Sequence, residues 1–183
     1  MLNSKERKRL VASGEVNVVF VEIGKAKSTV SKAIKQVKSR IPSANIYLIS
    51  DQFHFFLAYN GVRQYLLRNL SKTDEWREFE KVSHLNRTWR NGFWYFTAER
   101  IFALCALIQQ ENLTNVLHFE NDVILLSDFQ KEVKLMQEVD KVWYPFENPD
   151  MGCLSTLFIK NKQIAHLFAN ISLSSIPNKN ISC

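Results

Sequence analysis

Apolar positions recur along this chain at two different spacings. Val16-Asn-Val-Val-Phe-Val-Glu22 is nearly continuous in apolar character, rich in β-branched and aromatic residues, and followed by Gly24. That pattern predicts a strand buried on both faces. Between Ser28 and Pro42 the spacing changes. Val30, Ala33, Ile34 and Val37 return every three or four residues, with Lys32, Lys35 and Lys38 between them. This predicts an amphipathic helix capped by Ser28 and ended at Pro42. Ile46-Tyr-Leu-Ile49 then predicts a second strand, stopping at Ser50-Asp51. Strand, helix, strand over so short a span is a βαβ unit, which places the two strands parallel with a right-handed crossover.

The alternation continues downstream. Val62 to Leu70 reads as helix, and Trp76, Phe79 and Val82 fall at helical spacing on a second, charged one. Asn86 to Gly92 breaks the pattern as a loop. After Phe93-Trp-Tyr-Phe96 comes a helix with Thr97 as its cap, Glu99 in its first turn and Ile101, Leu104, Cys105 and Ile108 as its buried stripe. Val116, Leu117 and Phe119 form a short strand, and apolar character resumes from Val123 to Leu126. Asp128 can cap a helix whose Phe129, Val133 and Met136 face inward. Lys141 to Pro145 and Leu154 to Ile159 read as strands around a loop from Phe146 to Gly152, and Ile164, Ala165, Leu167 and Phe168 mark a last helix before a Ser/Asn-rich tail. The order of elements predicts an α/β fold, a three-layer αβα sandwich with a mostly parallel central sheet. Residues 1–183 are expected to form one domain, with a basic leader at 1–14 and a tail from about 171.

Composition narrows the classes. With 46% hydrophobic and 23% charged residues the 183-residue chain is of globular type. Its 24 basic against 18 acidic residues, a net charge of +6, suit an anionic partner: nucleotide phosphates, nucleic acid or a membrane surface. Cys105, Cys153 and Cys183 are odd in number and widely spaced, which indicates neither a disulfide framework nor a structural zinc site and fits a reducing, cytoplasmic setting. In that setting the five Asn-x-Ser/Thr sequons are accidental. No apolar run approaches the length of a transmembrane helix, so membrane contact would be peripheral. With five glycines and no Gly-x-Gly-x-x-Gly after the first strand, a Rossmann dehydrogenase is disfavoured, as is a P-loop NTPase.

The candidate chemistry lies in Glu120-Asn121-Asp122, two carboxylates set between apolar runs. Carboxylates are rarely buried without a partner, so something must compensate them. One arrangement is a turn in which Asn121 takes an awkward backbone angle while the acids cap local amides. The other is a strand tip opening into a cleft that water, a divalent cation and a phosphorylated ligand can reach, as happens at the carboxyl ends of strands in open α/β sheets. His118 shares strand parity with Glu120 and could extend the set of ligands, although a histidine on an apolar strand is more simply a hydrogen-bonded core residue. Trp89 and Phe93 to Phe96 offer either a stacking wall for a sugar or base, or core packing.

The wording Phe93-Trp94, Thr97, Glu99-Arg100, Asn115-Val116, His118, Glu120-Asn121-Asp122-Val123, following a βαβ start, resembles the nucleotide-diphospho-sugar transferases of the GT-A fold. The resemblance spans roughly Val16 to Phe168 in order of elements and is specific only from Phe93 to Leu126. It implies that Glu120 approaches the ribose of a sugar nucleotide, or shares the metal, and that Asp122 holds a divalent cation, Mn²⁺ or Mg²⁺, on the diphosphate. Hard cations of this kind prefer one or two carboxylates plus phosphate and water. It further implies that Asp51 recognises the base, that Val21 to Lys25, Val21 and Glu22 among them, line the nucleotide pocket, and that Arg100 reaches the diphosphate. Glu147 or Asp150 is the candidate catalytic base of an acceptor loop, needed only if the reaction inverts. The expected partners are a UDP- or GDP-sugar and an unidentified acceptor. Two other readings stay open: a non-catalytic relative that keeps the fold, and a basic nucleic-acid-binding module.

Overall fold

The computed structural model describes residues 16–23, 29–125, 129–138, 140–148 and 151–176. Among these residues eight strands and six helices follow in order: β1 Asn17–Glu22, α1 Thr29–Arg40, β2 Asn45–Ser50, α2 Phe55–Tyr59, β3 Arg63–Leu66, α3 Asp74–Val82, α4 Phe93–Glu111, β4 Val116–Phe119, α5 Gln130–Gln137, β5 Val142–Trp143, β6 Phe146–Asn148, β7 Met151–Gly152, β8 Thr156–Ile159 and α6 Lys162–Ser174. Six strands form one sheet in the order β3-β2-β1-β4-β8-β5. β3, β2, β1 and β4 run parallel, and β8 runs antiparallel to both β4 and β5. β6 and β7 make a separate two-stranded pair.

Side-chain alternation along the strands divides the core in two. Val18 and Phe20 of β1, Leu48 of β2 and Leu117 and Phe119 of β4 pack with Val30, Ala33, Ile34 and Val37 of α1 and Val133 of α5. Val19 and Val21, Tyr47 and Ile49, and Val116 face the other way, onto α4, α3 and α6. The result is the α/β sandwich expected from the sequence. The buried residues of α1 are the four that its periodicity singles out. α4 goes beyond a stripe: Phe102 to Ile108 are all buried, because this helix lies between the sheet and the helices α3 and α6.

Several boundaries differ from expectation, each for a tertiary reason. The segment 62–70 is not a helix: Arg63–Leu66 pairs in parallel with β2, and a 3₁₀ turn follows at Leu67–Asn69. Arg63 donates to the Tyr47 hydroxyl at 2.8 Å, while the Gln64 side chain holds His54 by two backbone bonds of 2.7 and 2.8 Å, contacts that only the assembled sheet provides. The expected loop at 146–152 contains β6 and β7, the strand at 141–145 is reduced to Val142–Trp143, and the last helix runs on past Asn170 to Ser174. The caps foreseen at Ser28 and Asp128, the leader 1–14 and the end of the tail lie outside the described residues.

Thr97 is not a cap. α4 begins four residues earlier, at Phe93, after three consecutive residues with positive φ: Arg90, Asn91 and Gly92. The Thr97 hydroxyl instead donates to the Phe93 carbonyl at 2.7 Å. Glu99, expected in the first turn, is buried in the helix body, and desolvation raises its carboxyl pKa against the opposing pull of Trp76 and Arg87. Gly92 is required where it stands. At φ +75 a Cβ would lie 2.5 Å from the Arg87 carbonyl oxygen and 2.6 Å from the Phe96 ring. Gly61 also has positive φ, yet nothing lies within 4 Å of its Cβ position. In urea unfolding, Gly61→Ala is therefore expected to lose about 1–2 kcal/mol for left-handed backbone alone. Gly92→Ala is expected to lose clearly more, and equal losses would remove the overlap from the account.

Candidate functional site

Strand order reverses between β1 and β4: the chain steps outward from β1 to β2 and β3, then returns to β1's other side. In an open α/β sheet that reversal leaves a crevice at the carboxyl ends of the two strands. Glu22 ends β1, and Glu120 is the first residue beyond β4. The opposite edge is closed by backbone and side-chain bonds, with Asn17 Nδ2 donating to the Thr114 carbonyl at 2.6 Å and Asn45 Nδ2 to Asn17 Oδ1 at 3.3 Å. The sequence therefore places its carboxylates at the one edge where the topology leaves room.

Glu120-Asn121-Asp122 is a turn. Val123 N–H donates to the Glu120 carbonyl at 3.2 Å, which makes Asn121 and Asp122 the two corner residues. Asn121 does not take a positive φ. Its side-chain amide donates to a carboxylate oxygen of Glu22, tying the tip of β1 to the turn after β4. Glu22 itself is only 6% exposed. Glu120 caps no local amide among these contacts. Arg100 Nη1 donates to its Oε1 at 2.8 Å, and Arg100 Nη2 reaches the Thr97 hydroxyl at 3.1 Å. The α4 helix carries Arg100 to this point because it runs antiparallel to β4 and ends only a few residues before it. Both members of the ion pair are partly buried, so the contact is less screened than a surface pair. Asp122 points outward and is exposed.

The structure thus brings Glu22, Arg100, Glu120 and Asp122 to one edge. Asp51 follows Ser50, which pairs with Glu22, so it lies at the same edge one strand away and exposed. Val21 is not at the surface of the crevice; it packs in the core on the α4 side of the sheet. Glu147 belongs to β6, apart from the main sheet, and Asp150 lies outside the described residues. Asn121, read from the sequence only as a turn residue, is the tie between the two strand tips. Its place between two acids was visible, but its partner stands 99 residues earlier in the chain.

His118 is buried, with its Nδ1 2.9 Å from the Val19 carbonyl, so Nδ1 carries the proton and the ring is a bonded core residue. Burial pushes its pKa down to about 4, assisted by Arg100 and opposed by the bond to Val19. The unfolded value is near 6.5, so below that pH the unfolded chain takes up a proton that the fold refuses. Stability is then lost as pH falls from about 6.5 towards 4, by up to about 1.4 kcal/mol per pH unit. Between pH 7 and pH 5, wild type is expected to lose about 1–2 kcal/mol more than His118→Gln in urea unfolding. Parallel curves would show that this imidazole does not govern the acid response.

A mostly parallel six-stranded sheet of this order, with helices on both faces and a charged turn at its reversal, defines an α/β sandwich. Among solved structures the chain is similar to the apo-form glycosyltransferase GlyE of Streptococcus pneumoniae TIGR4, with a TM-score of 0.58 at 14% identity. The likeness covers 92% of this chain and 40% of GlyE, so the chain spans less than half the length of that neighbour. No family model matches the chain, and no curated protein matches it.

Proposed function

We propose that the chain is a GT-A-type, metal-dependent glycosyltransferase that binds a nucleoside-diphosphate sugar in the β1/β4 crevice and passes the sugar to a hydroxyl acceptor. The observation that carries this reading is the acidic turn at the strand-order reversal, with Arg100 held beside it. The donor set suits a cation that arrives with its substrate. Among the described residues no three His, Cys, Asp or Glu side chains gather into a cage. Asp122 offers an exposed carboxylate, and Glu120 already spends one oxygen on Arg100. Mg²⁺ and Mn²⁺ tolerate this scarcity, since phosphate and water complete their shells. Asp122, with the second oxygen of Glu120, would hold the ion, which when bound neutralises charge on the departing diphosphate.

The remaining work falls to the chain's own groups. Arg100, oriented by Glu120 and Thr97, presents a fixed guanidinium towards a diphosphate without paying for side-chain ordering on binding. Asn121 holds the turn against Glu22, which keeps Asp122 directed outward. Asp51, exposed at the same edge one strand away, would meet the base, and Glu147 or Asp150 would deprotonate the acceptor in an inverting reaction. No helix among the described residues is long and apolar enough to cross a membrane.

Calorimetry with UDP- and GDP-sugars, with and without Mn²⁺, tests the reading. Metal-dependent binding together with slow sugar-nucleotide hydrolysis supports it. Binding without hydrolysis would reduce the protein to a ligand-holding relative. Oligonucleotide binding that weakens with salt, and no nucleotide-sugar binding, would replace the reading with that of a basic nucleic-acid module.

A further inference from the structure

Directly beyond Asp122, on the sheet face covered by α1 and α5, lies a cavity of about 380 Å³. Its wall is almost wholly apolar and aromatic, including Phe119, Ile124, Phe129, Trp143, Tyr144 and Phe158. Protein interiors close such spaces to voids no larger than a water, and an open apolar hollow of this size is of the kind that ligands fill. Two of its wall residues remain open to solvent, Ile124 at 70% and Trp143 at 42% exposure. Its floor is β4 itself, through Leu117 and Phe119, so the cavity and the acidic turn share one strand.

Resting on the function proposed above, we propose that this cavity receives the hydrocarbon part of the acceptor, which makes the acceptor an amphiphile whose hydroxyl-bearing head lies at the turn. The chemistry of the wall selects that occupant. A bare sugar would bury several hydroxyls against a wall whose described side chains offer only the Thr156 and Tyr144 hydroxyls and the Trp143 indole N–H. A hydrocarbon chain needs no hydrogen bonds, and the volume is that of ordinary small-molecule pockets. The polar end of such a ligand would emerge beside Asp122, where a sugar would be transferred.

Straight acyl-type and branched isoprenoid chains share this chemistry, and the test separates them. Octyl β-glucoside and geranyl β-glucoside, each below its micelle concentration, would be titrated into the full chain without nucleotide, with methyl β-glucoside as control. The readouts are calorimetry and tryptophan fluorescence, since Trp143 lies in the wall. Saturable one-site binding of an alkyl glucoside, at least tenfold tighter than the methyl compound, is expected. The tighter of the two chains identifies the source. Met136→Trp, which fills the cavity, and Ile124→Asn, which alters its exposed rim at little risk to folding, should each weaken that binding tenfold or more. Alkyl glucosides that bind no better than methyl glucoside, or that bind both variants as tightly as wild type, would overturn the inference. A sugar-nucleotide titration on the same sample keeps the two ideas apart. Nucleotide binding without alkyl binding sinks only the inference, whereas alkyl binding without nucleotide binding removes the acceptor role together with the proposed function.

Discussion

Asp122→Ala is expected to weaken nucleotide-sugar binding in Mn²⁺ by at least roughly tenfold, about 1.4 kcal/mol, while leaving affinity in EDTA and the melting temperature unchanged. The separation follows from where the residue stands. Asp122 is exposed at a turn corner, and the turn's own hydrogen bond runs between Glu120 and Val123 backbone groups, which alanine leaves intact. Surface substitutions of this kind alter stability by a few tenths of a kcal/mol. Calorimetry with and without the ion, beside a thermal melt, reads both quantities. A large fall in melting temperature with unchanged ligand affinity would make Asp122 a structural turn residue.

Phe102→Ala should give the converse pattern. Phe102 is 1% exposed in the middle of α4 and stacks on Phe79 with ring centroids 4.6 Å apart. Removing a buried phenylalanine costs about 3–5 kcal/mol in lost transfer energy and cavity formation. For a chain of this length the melting temperature should fall by on the order of 10 °C. Chemical denaturation checks the magnitude. A loss below about 1 kcal/mol would mean that α3 and α6 collapse onto the vacated space, contrary to the close packing described for this layer.

What could be read in the sequence was whatever rests on local periodicity. The βαβ start, the buried residues of α1, the inward residues of α5 and the strand before the acidic turn all follow from spacing, because their neighbours are close in the chain. β3 escaped because Arg63-Gln-Tyr-Leu66 has no strong pattern of its own and becomes a strand only by pairing with β2. The start of α4 was misplaced for a different reason. Thr97 has the chemistry of a cap, but the left-handed run ending at Gly92 lets the helix begin earlier. At the candidate site, the two acids and Arg100 were legible as residue types. Their direct contacts were not, since the Glu120–Arg100 pair and the Asn121–Glu22 bond depend on a helix and a strand tip that only the assembled sheet brings there. Neither bond leaves a periodic trace.

The position of β4 beside β1 also bears on how the chain is made. Val19 and the His118 that bonds to it are 99 residues apart, so at a ribosome adding about 5–20 residues per second the first strand waits roughly 5–20 s for its inner neighbour. Throughout that interval its apolar backbone edge is a template for any other extended segment nearby. Nascent-chain aggregation should therefore be most acute for products truncated between α1 and the end of α4, and should subside once the acidic turn has left the exit tunnel.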